Sequence, residues 1–325
     1  MKTTAIAYSN IAFIKYWGKK DQKLRLPLNN SISMNLSNLQ TLTTVEFSQN
    51  LKSDDVTINA QKNISEVNRV IEHLDSIRQL AHSPLQAKVV STNNFPASSG
   101  LSSSASGFAA LTLAAASALG LNLNEKELSV LARLGSGSAC RSIPAGFVEW
   151  EMGDRSDNSF AHSIFPENHW PILDIVAVVS DQKKDIPTSD TQKYALTSPF
   201  MSSRLKFIPG KILKLKKALK EKNFPEFGEI IESECLELHS VIMTQNPSFI
   251  YLLPESLSLM REVRLLRRQG LMVYFTVNTG HDLHLLCQEK DKNDLLQKLS
   301  SLSFIRKTII NYPAGPAKVI YDHLF

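Results

Sequence analysis

Residues 91–110 read STNNFPASSGLSSSASGFAA, with seven serines, two glycines and a proline set between an apolar run at 85–90 and an alanine-rich segment. The pattern predicts a strand, a loop of small residues and then a helix over about 102–119. Such a loop lets backbone N–H groups converge on an anion, and the helix N-terminus adds roughly half a unit of positive partial charge. Ser102, Ser103 and Ser104 can add hydroxyls to phosphate oxygens or to a bound metal. No Gly-Lys-Ser/Thr follows, so this is not a Walker A loop and the P-loop fold is not implied. A serine-rich helix cap would explain the composition equally well.

Upstream of this loop, residues 1–50 alternate short β-like runs with turns, among them TLTTVEF at 41–47. Val67, Val70, Ile71, Leu74 and Ile77 recur at helical spacing and predict a helix over 64–82. Downstream, Asn124 with Glu127 reads as a capping box opening a helix that carries Leu128, Leu131 and Leu134. Strands are expected at 147–151 and 172–179, then a polar loop or domain link at 181–190. Two helices follow, the first with Ile212, Leu215 and Leu219 inward and a lysine-rich outer face, the second lined by Phe227, Ile231, Cys235 and Leu238. A strand at 272–278 and a tail of one more helix and strand complete the pattern.

At 325 residues the chain is long enough for two domains. Hydrophobic content of 43% and charged content of 21% are those of an ordinary globular enzyme, and no apolar run approaches ~18 residues, so no membrane span is expected. The first ten residues carry no signal-peptide core. Cys140, Cys235 and Cys287 stand far apart without CxxC spacing, which suits reduced thiols in a cytoplasmic protein and argues against zinc. A net charge of +5 favours anionic ligands only weakly. The lysine face over 211–222 lacks interleaved aromatics, so it reads as a solvated helix surface and no nucleic-acid partner is expected.

Two further segments carry chemistry. In NIAFIKYWGK (10–19), Lys15 and Lys19 flank Tyr16, and a lysine in an apolar segment is costly to bury unless it meets an anion. Both lysines reaching solvent is the alternative. In GSGSACRS (135–142), glycines alternate with Ser136 and Ser138 around Gly137, and Arg141 offers a fork that can bind a carboxylate or phosphate in two places. A helix simply ending in glycine would read the same way.

The string Pro96-x-x-x-Gly100-Leu101-x-Ser103-Ser104-Ala105 resembles the nucleotide loop of the GHMP small-molecule kinases. With NIAFIKYWGK (10–19), LPLNNSIS (26–33), NNFPASSGLSSSASGFAAL (93–111), ARLGSGSACRS (132–142) and GFVEW (146–150), the chain resembles the diphosphomevalonate decarboxylase family. Weaker similarity continues through SPF (198–200), Glu237-Leu238-His239 and QNPSFIYL (245–252). The resemblance implies an α+β, two-domain fold. Its first part, 1–182, would be a kinase-like ATP-binding domain with a left-handed βαβ-type nucleotide loop, and 183–325 a ferredoxin-like domain, with the site between them. It further implies ATP and Mg2+, a small anionic substrate, a homodimer, and decarboxylation of (R)-5-diphosphomevalonate to isopentenyl diphosphate with release of ADP, phosphate and carbon dioxide.

Carried over by position, Ser98, Ser99, Gly100, Leu101, Ser102, Ser103 and Ser104 become the triphosphate loop. Tyr16, Lys19, Ser136, Gly137, Ser138 and Arg141 become the cradle for the substrate's phosphates and carboxylate, with Lys15 deeper in the cleft. No resident protein-only metal site is implied. The chain departs from the family twice. Asn278 stands where the family carries an Asp, followed by Thr279, Gly280, His281 and Asp282, and an amide can neither take a proton nor supply a negative charge. The family's Ser-Ser-Arg stretch is replaced by Ile186-Pro187-Thr188-Ser189-Asp190, where Thr188 or Ser189 keeps a hydroxyl. Asp282 or His281 is expected to replace the missing carboxylate in part, or else that carboxylate is less essential than its position suggests; His281 is otherwise a solvent-facing turn residue. The alternative is a kinase or decarboxylase acting on mevalonate or a monophosphate of it. A binding protein that kept the pocket without catalysis is a third reading.

Overall fold

The computed structural model describes residues 1–95, 100–180, 182 and 186–325. Strand β1 (Lys2–Ile14) leads through a small ribbon, β2 (Lys19–Asp21) and β3 (Leu26–Pro27), into the long β4 (Ser31–Ser48). Then come β5 (Asp55–Ile58), α1 (Ile64–Ala81), β6 (Gln86–Asn93), α2 (Ser103–Ala118), α3 (Glu125–Gly135), a 3-10 turn (Gly137–Ser142), β7 (Phe147–Trp150) and β8 (Ala161–Phe165). The second half runs β9 (Leu173–Val178), α4 (Thr188–Gln192), α5 (Met201–Glu221), α6 (Phe224–Thr244), α7 (Pro254–Arg268), β10 (Val273–Thr276), β11 (Leu283–Cys287), α8 (Lys292–Ser300), β12 (Lys307–Asn311) and β13 (Lys318–Ile320).

The first sheet is seven-stranded, with the path β13-β1-β4-β6-β5, β7 joined to one end of β4 and β8 to β7. The turns expected within residues 1–50 are largely absent, because β1 and β4 run 13 and 18 residues. Their buried Ser9, Asn10 and Asn35 donate instead to Leu101 O before α2, to Ser142 Oγ of the 3-10 turn and to Pro144 O. Two irregularities in β1, between Tyr8 and Asn10 and between Ala12 and Ile14, decide what each face sees. Each slip of one residue exchanges the faces. Ala5 and Ala7 pack under α2, whereas Ile11 and Phe13, of the same parity, enter the opposite core. After the first slip Asn10 and Ala12 turn toward the 3-10 turn and the cleft, and after the second Lys15 does.

Helix α2 is buried nearly all round by Ala109, Ala110, Ala114, Ala115 and Ala118, small enough to let its backbone lie close on β1 and β4. The Asn124–Glu127 capping box opens α3 as expected, with Asn124 N donating to Glu127 Oε2 at 2.8 Å and Glu127 N to Asn124 Oδ1 at 3.0 Å.

The second sheet is antiparallel in the order β10-β11-β9-β12. With helices between β9 and β10 and between β11 and β12, this is the ferredoxin-like β-α-β-β-α-β arrangement. Helix α7 and strand β11 went unpredicted. The leucines of α7 are interrupted by four arginines, and β11 follows immediately on the segment read as site loop. Part of the lysine face of α5 is paired rather than solvated: Lys211 bonds Glu234 and Glu237, and Lys216 bonds Glu149. One hydrophobic cluster joins the two sheets, with Leu36 and Leu39 of β4, Val176 of β9, Leu286 of β11 and Ile208 and Leu219 of α5 in one body.

Candidate active site

A cleft of about 570 Å³ opens where the end of β1, the start of α2, the 3-10 turn, α4 and the loop after β10 meet. Lys15, Tyr16, Lys19, Gly100, Ser102, Ser103, Ser104, Ser136, Gly137, Ser138, Arg141, Thr188, Ser189 and Asn278 all line it. Leu101 is buried beside it and its carbonyl accepts from Ser9 Oγ at 2.5 Å. Ser98 and Ser99 lie outside the described residues.

Arg141 enters from the 3-10 turn, whose serines and glycine keep the wall thin. Arg141 is 4% exposed, and among the described residues its guanidinium hydrogen-bonds only neutral oxygens. Nε donates to Ser33 Oγ at 3.1 Å, one terminal nitrogen to Ser31 Oγ at 2.7 Å and the other to Asn10 Oδ1 at 3.2 Å. Burial lowers its proton affinity. A charge desolvated without a carboxylate partner is costly, and it persists where an anion is to be received.

Tyr16 stacks edge-on against Trp150 with centroids 4.6 Å apart, and its buried hydroxyl has no protein partner among the described residues. A side chain at Gly137 would place its Cβ 2.8 Å from that ring, so only glycine lets the turn close over Tyr16. Across the cleft, Gly100 has φ +97°, and a Cβ there would come within 2.6 Å of Gly280 Cα. The serine loop and the loop after β10 are thereby brought into backbone contact.

Lys15 is 2% exposed. Its Nζ donates to Asn278 Oδ1 at 3.1 Å, and burial brings its pKa down to about 8. Asn278 ties the floor together, its Nδ2 donating to Ser102 Oγ at 2.9 Å and its Oδ1 also accepting from Ala12 N at 3.4 Å. Lys19 is likewise pushed down to about 8, by burial first and then by Arg25 and Arg69. Those two arginines line the cleft and were missed in the sequence, where lone cations outside a motif carry no signal. Thr188 Oγ1 and Thr279 Oγ1 are 2.6 Å apart, which fastens α4 to the loop after β10.

The structure separates the two expected substitutes from Asn278. Asp282 is buried away from the cleft lining, with Oδ1 accepting from Val179 N at 3.0 Å, and burial raises its pKa. His281 is buried too, 3.3 Å from the Ser180 carbonyl, and is not the solvent-facing residue expected of a turn. A second, apolar pocket of about 100 Å³ adjoins the cleft, bounded by Ile58, Val89 and Phe108 and sharing Arg69, Ser103 and Ser104 with it. Outside the cleft, Glu149, Glu151 and His162 group closely enough to hold a metal ion, but the Lys216 ammonium already lies on Glu149.

An α+β molecule with a small-residue loop at a helix N-terminus and a cleft of buried cations belongs to the GHMP-kinase class. Residues 7–161 match the diphosphomevalonate decarboxylase-like N-terminal domain and 174–321 the mevalonate 5-diphosphate decarboxylase C-terminal domain. The chain belongs to the diphosphomevalonate decarboxylase family. It is 37% identical to the diphosphomevalonate decarboxylase of Candida albicans over 308 residues, covering 89% of this chain and 85% of that one. Mevalonate diphosphate decarboxylase from Staphylococcus aureus superposes with a TM-score of 0.93 at 35% identity, covering 98% of each chain. MDDEF, solved in complex with MVAPP, AMPPCP and magnesium, superposes with a TM-score of 0.93 at 37% identity over 99% of each chain.

Proposed function

We propose that this chain catalyses the ATP-dependent decarboxylation of (R)-5-diphosphomevalonate to isopentenyl diphosphate, releasing ADP, phosphate and carbon dioxide. The observation that carries this reading is Arg141, a buried guanidinium surrounded by neutral groups and directed into the same cleft as Lys15 and the serine loop. The complex of MDDEF with MVAPP, AMPPCP and magnesium supports it.

In this reading Arg141 holds the substrate carboxylate, while Tyr16, Lys19, Ser136, Gly137 and Ser138 hold its phosphates together with Arg25 and Arg69. Ser98 through Ser104 form the triphosphate loop, and the apolar pocket beside Phe108 receives the nucleoside base. Thr188 and Ser189 cover the rim. Oriented cations and N–H donors keep the two anions in line for transfer to the tertiary hydroxyl. The hydroxyls of Ser103 and Ser104, with the Glu66 carboxylate on the same cleft, are the oxygen donors a hard cation takes, so these residues fit Mg2+. When bound with ATP, that ion neutralises charge on the transferring phosphoryl group. A homodimer in the cytoplasm, and a division near residue 182 crossed by β9 and β13, complete the proposal.

Asn278 favours a second reading, a kinase acting on mevalonate or its monophosphate. Incubation with ATP and, separately, mevalonate, its 5-phosphate and its 5-diphosphate tests both. ADP with carbon dioxide from the diphosphate alone is the expected result. ADP without carbon dioxide identifies the kinase, and neither product identifies a binding protein.

A further inference from the structure

We propose that Lys15, as its neutral amine, accepts the proton of the acceptor hydroxyl during phosphoryl transfer, in place of the carboxylate that Asn278 replaces. The proposal rests on the ATP-dependent reading above. In the step, the hydroxyl O–H bond breaks and its proton goes to the lone pair on Lys15 Nζ. The freed oxygen bonds the γ-phosphorus, the bond from that phosphorus to the β-phosphate oxygen breaks, and ADP leaves with the electron pair. The ammonium so formed then faces the newly attached phosphate and favours its departure as an anion.

The geometry comes from three segments. Lys15 Nζ meets Asn278 Oδ1, and Asn278 Nδ2 meets Ser102 Oγ at the start of α2. One side chain therefore separates the amine from the loop proposed to hold the phosphates. Asn278 accepts a bond from Lys15 but gives it no counter-charge.

The charges around Lys15 are mixed, and burial decides against its ammonium. From α6, Glu234 presents the nearest carboxylate, but that group accepts the Lys15 backbone N–H at 3.0 Å and is ion-paired with Arg204 and Lys211 of α5. Cys235 and His239, also on α6, face Lys15, and burial keeps the first a thiol and the second neutral, with pKa values of about 11 and about 4. Arg141 adds positive charge from the 3-10 turn. Burial is the cause that brings Lys15 down to about 8; Cys235 and Glu234 pull it up, and Arg141 and Arg204 add a smaller push down. The three carboxylates among the described residues of the cleft, Glu66, Glu72 and Asp190, act on Arg69 instead. A lysine stripped of water by burial is how a general base near neutral pH is made.

The test is the pH dependence of ADP release between pH 6 and 9.5 at saturating ATP. For the wild type, kcat/KM should fall about tenfold per pH unit below about 8. Asn278→Asp, which supplies a carboxylate, should move that limb to lower pH by at least one unit. Lys15→Arg keeps the charge but cannot lose its proton. It should release ADP at least ~100-fold more slowly, while calorimetric binding of diphosphomevalonate changes by less than about fivefold. A flat wild-type profile, an unmoved limb in Asn278→Asp, or ADP release retained in a folded Lys15→Arg protein overturns the proposal. Absence of ADP from the wild type with all three substrates refutes the reading it rests on, and the proposal with it.

Discussion

Replacing Arg141 by alanine tests the assignment of the acceptor end of the cleft. The guanidinium has five N–H donors, and three of them are engaged, by Ser33, Ser31 and Asn10. Two donors remain, the number a carboxylate takes in a fork-to-fork pair. Because Arg141 is 4% exposed, water screens it little. At an effective dielectric of about 20, unit charges about 4 Å apart attract by roughly 4 kcal/mol. The part of this that aligns the reacting groups is about 2–4 kcal/mol, the cost of losing one oriented donor to a developing charge. Carbon dioxide release should therefore drop by a factor of ~30 to ~900 in Arg141→Ala. Nucleotide affinity should hold within about threefold, because Arg141 is anchored to β1 and β4 and not to the serine loop. Carbon dioxide trapping and a titration with a fluorescent ATP analogue measure the two quantities. A parallel loss of nucleotide affinity would refute the reasoning and place the 3-10 turn in the nucleotide site.

Tyr16→Phe should stabilise the ligand-free protein by about 1 kcal/mol in urea denaturation, since it removes a buried hydroxyl without a partner, and should weaken substrate binding; destabilisation of the free protein would count against that hydroxyl being reserved for a ligand. Gly100→Ala should cost at least ~1–3 kcal/mol, because φ is +97° and the Gly280 backbone leaves no room; an unchanged melting temperature would contradict the contact between the two loops. Lys19, pushed down to about 8 in the free protein, is close to half protonated at pH 8. Phosphate bound beside it raises its pKa, so substrate binding at pH 8 should take up about half a proton, seen by calorimetry in buffers of differing ionisation enthalpy. The uptake should fall in Lys19→Met, leaving at most the share taken by Lys15, and binding without proton uptake in the wild type would remove Lys19 from the phosphate cradle.

What was legible in the sequence was whatever carries a local pattern. The helix over Ile64–Ala81 has a 3.6-residue stripe, Asn124 and Glu127 cap each other across three residues, and the serine loop lies between two unmistakable periods. Lys15, Arg141 and Ser102 to Ser104 were marked by residue type in odd company, and the fold brings them to one cleft. What escaped notice is non-local. Asn10, Ser31 and Ser33 matter because two slips in β1 and a neighbouring strand aim them at Arg141. Glu234 matters because a helix some 220 positions along the chain packs its carboxylate against the Lys15 backbone. Position within the resemblance singled out Asn278, and Asn278 lines the cleft. Position alone could not tell that Asp282, four residues on, bonds Val179 N and leaves the cleft, since that depends on how the loop re-enters β11.

The hydrophobic cluster that runs from Leu36 and Leu39 through Val176 and Leu286 to Ile208 and Leu219 has a consequence for how the molecule works as a machine. Two bodies that share one core have no greased plane between them along which to swing. Parting them would expose leucine, isoleucine and valine side chains, at about 25 cal/mol for each Å². Substrate capture must therefore be carried by small segments at the mouth of the cleft, while its floor stays fixed. Rigidity of this kind suits a reaction in which charge develops at one carbon. Cations that are already in place lose nothing to reorganisation at the moment the bond breaks.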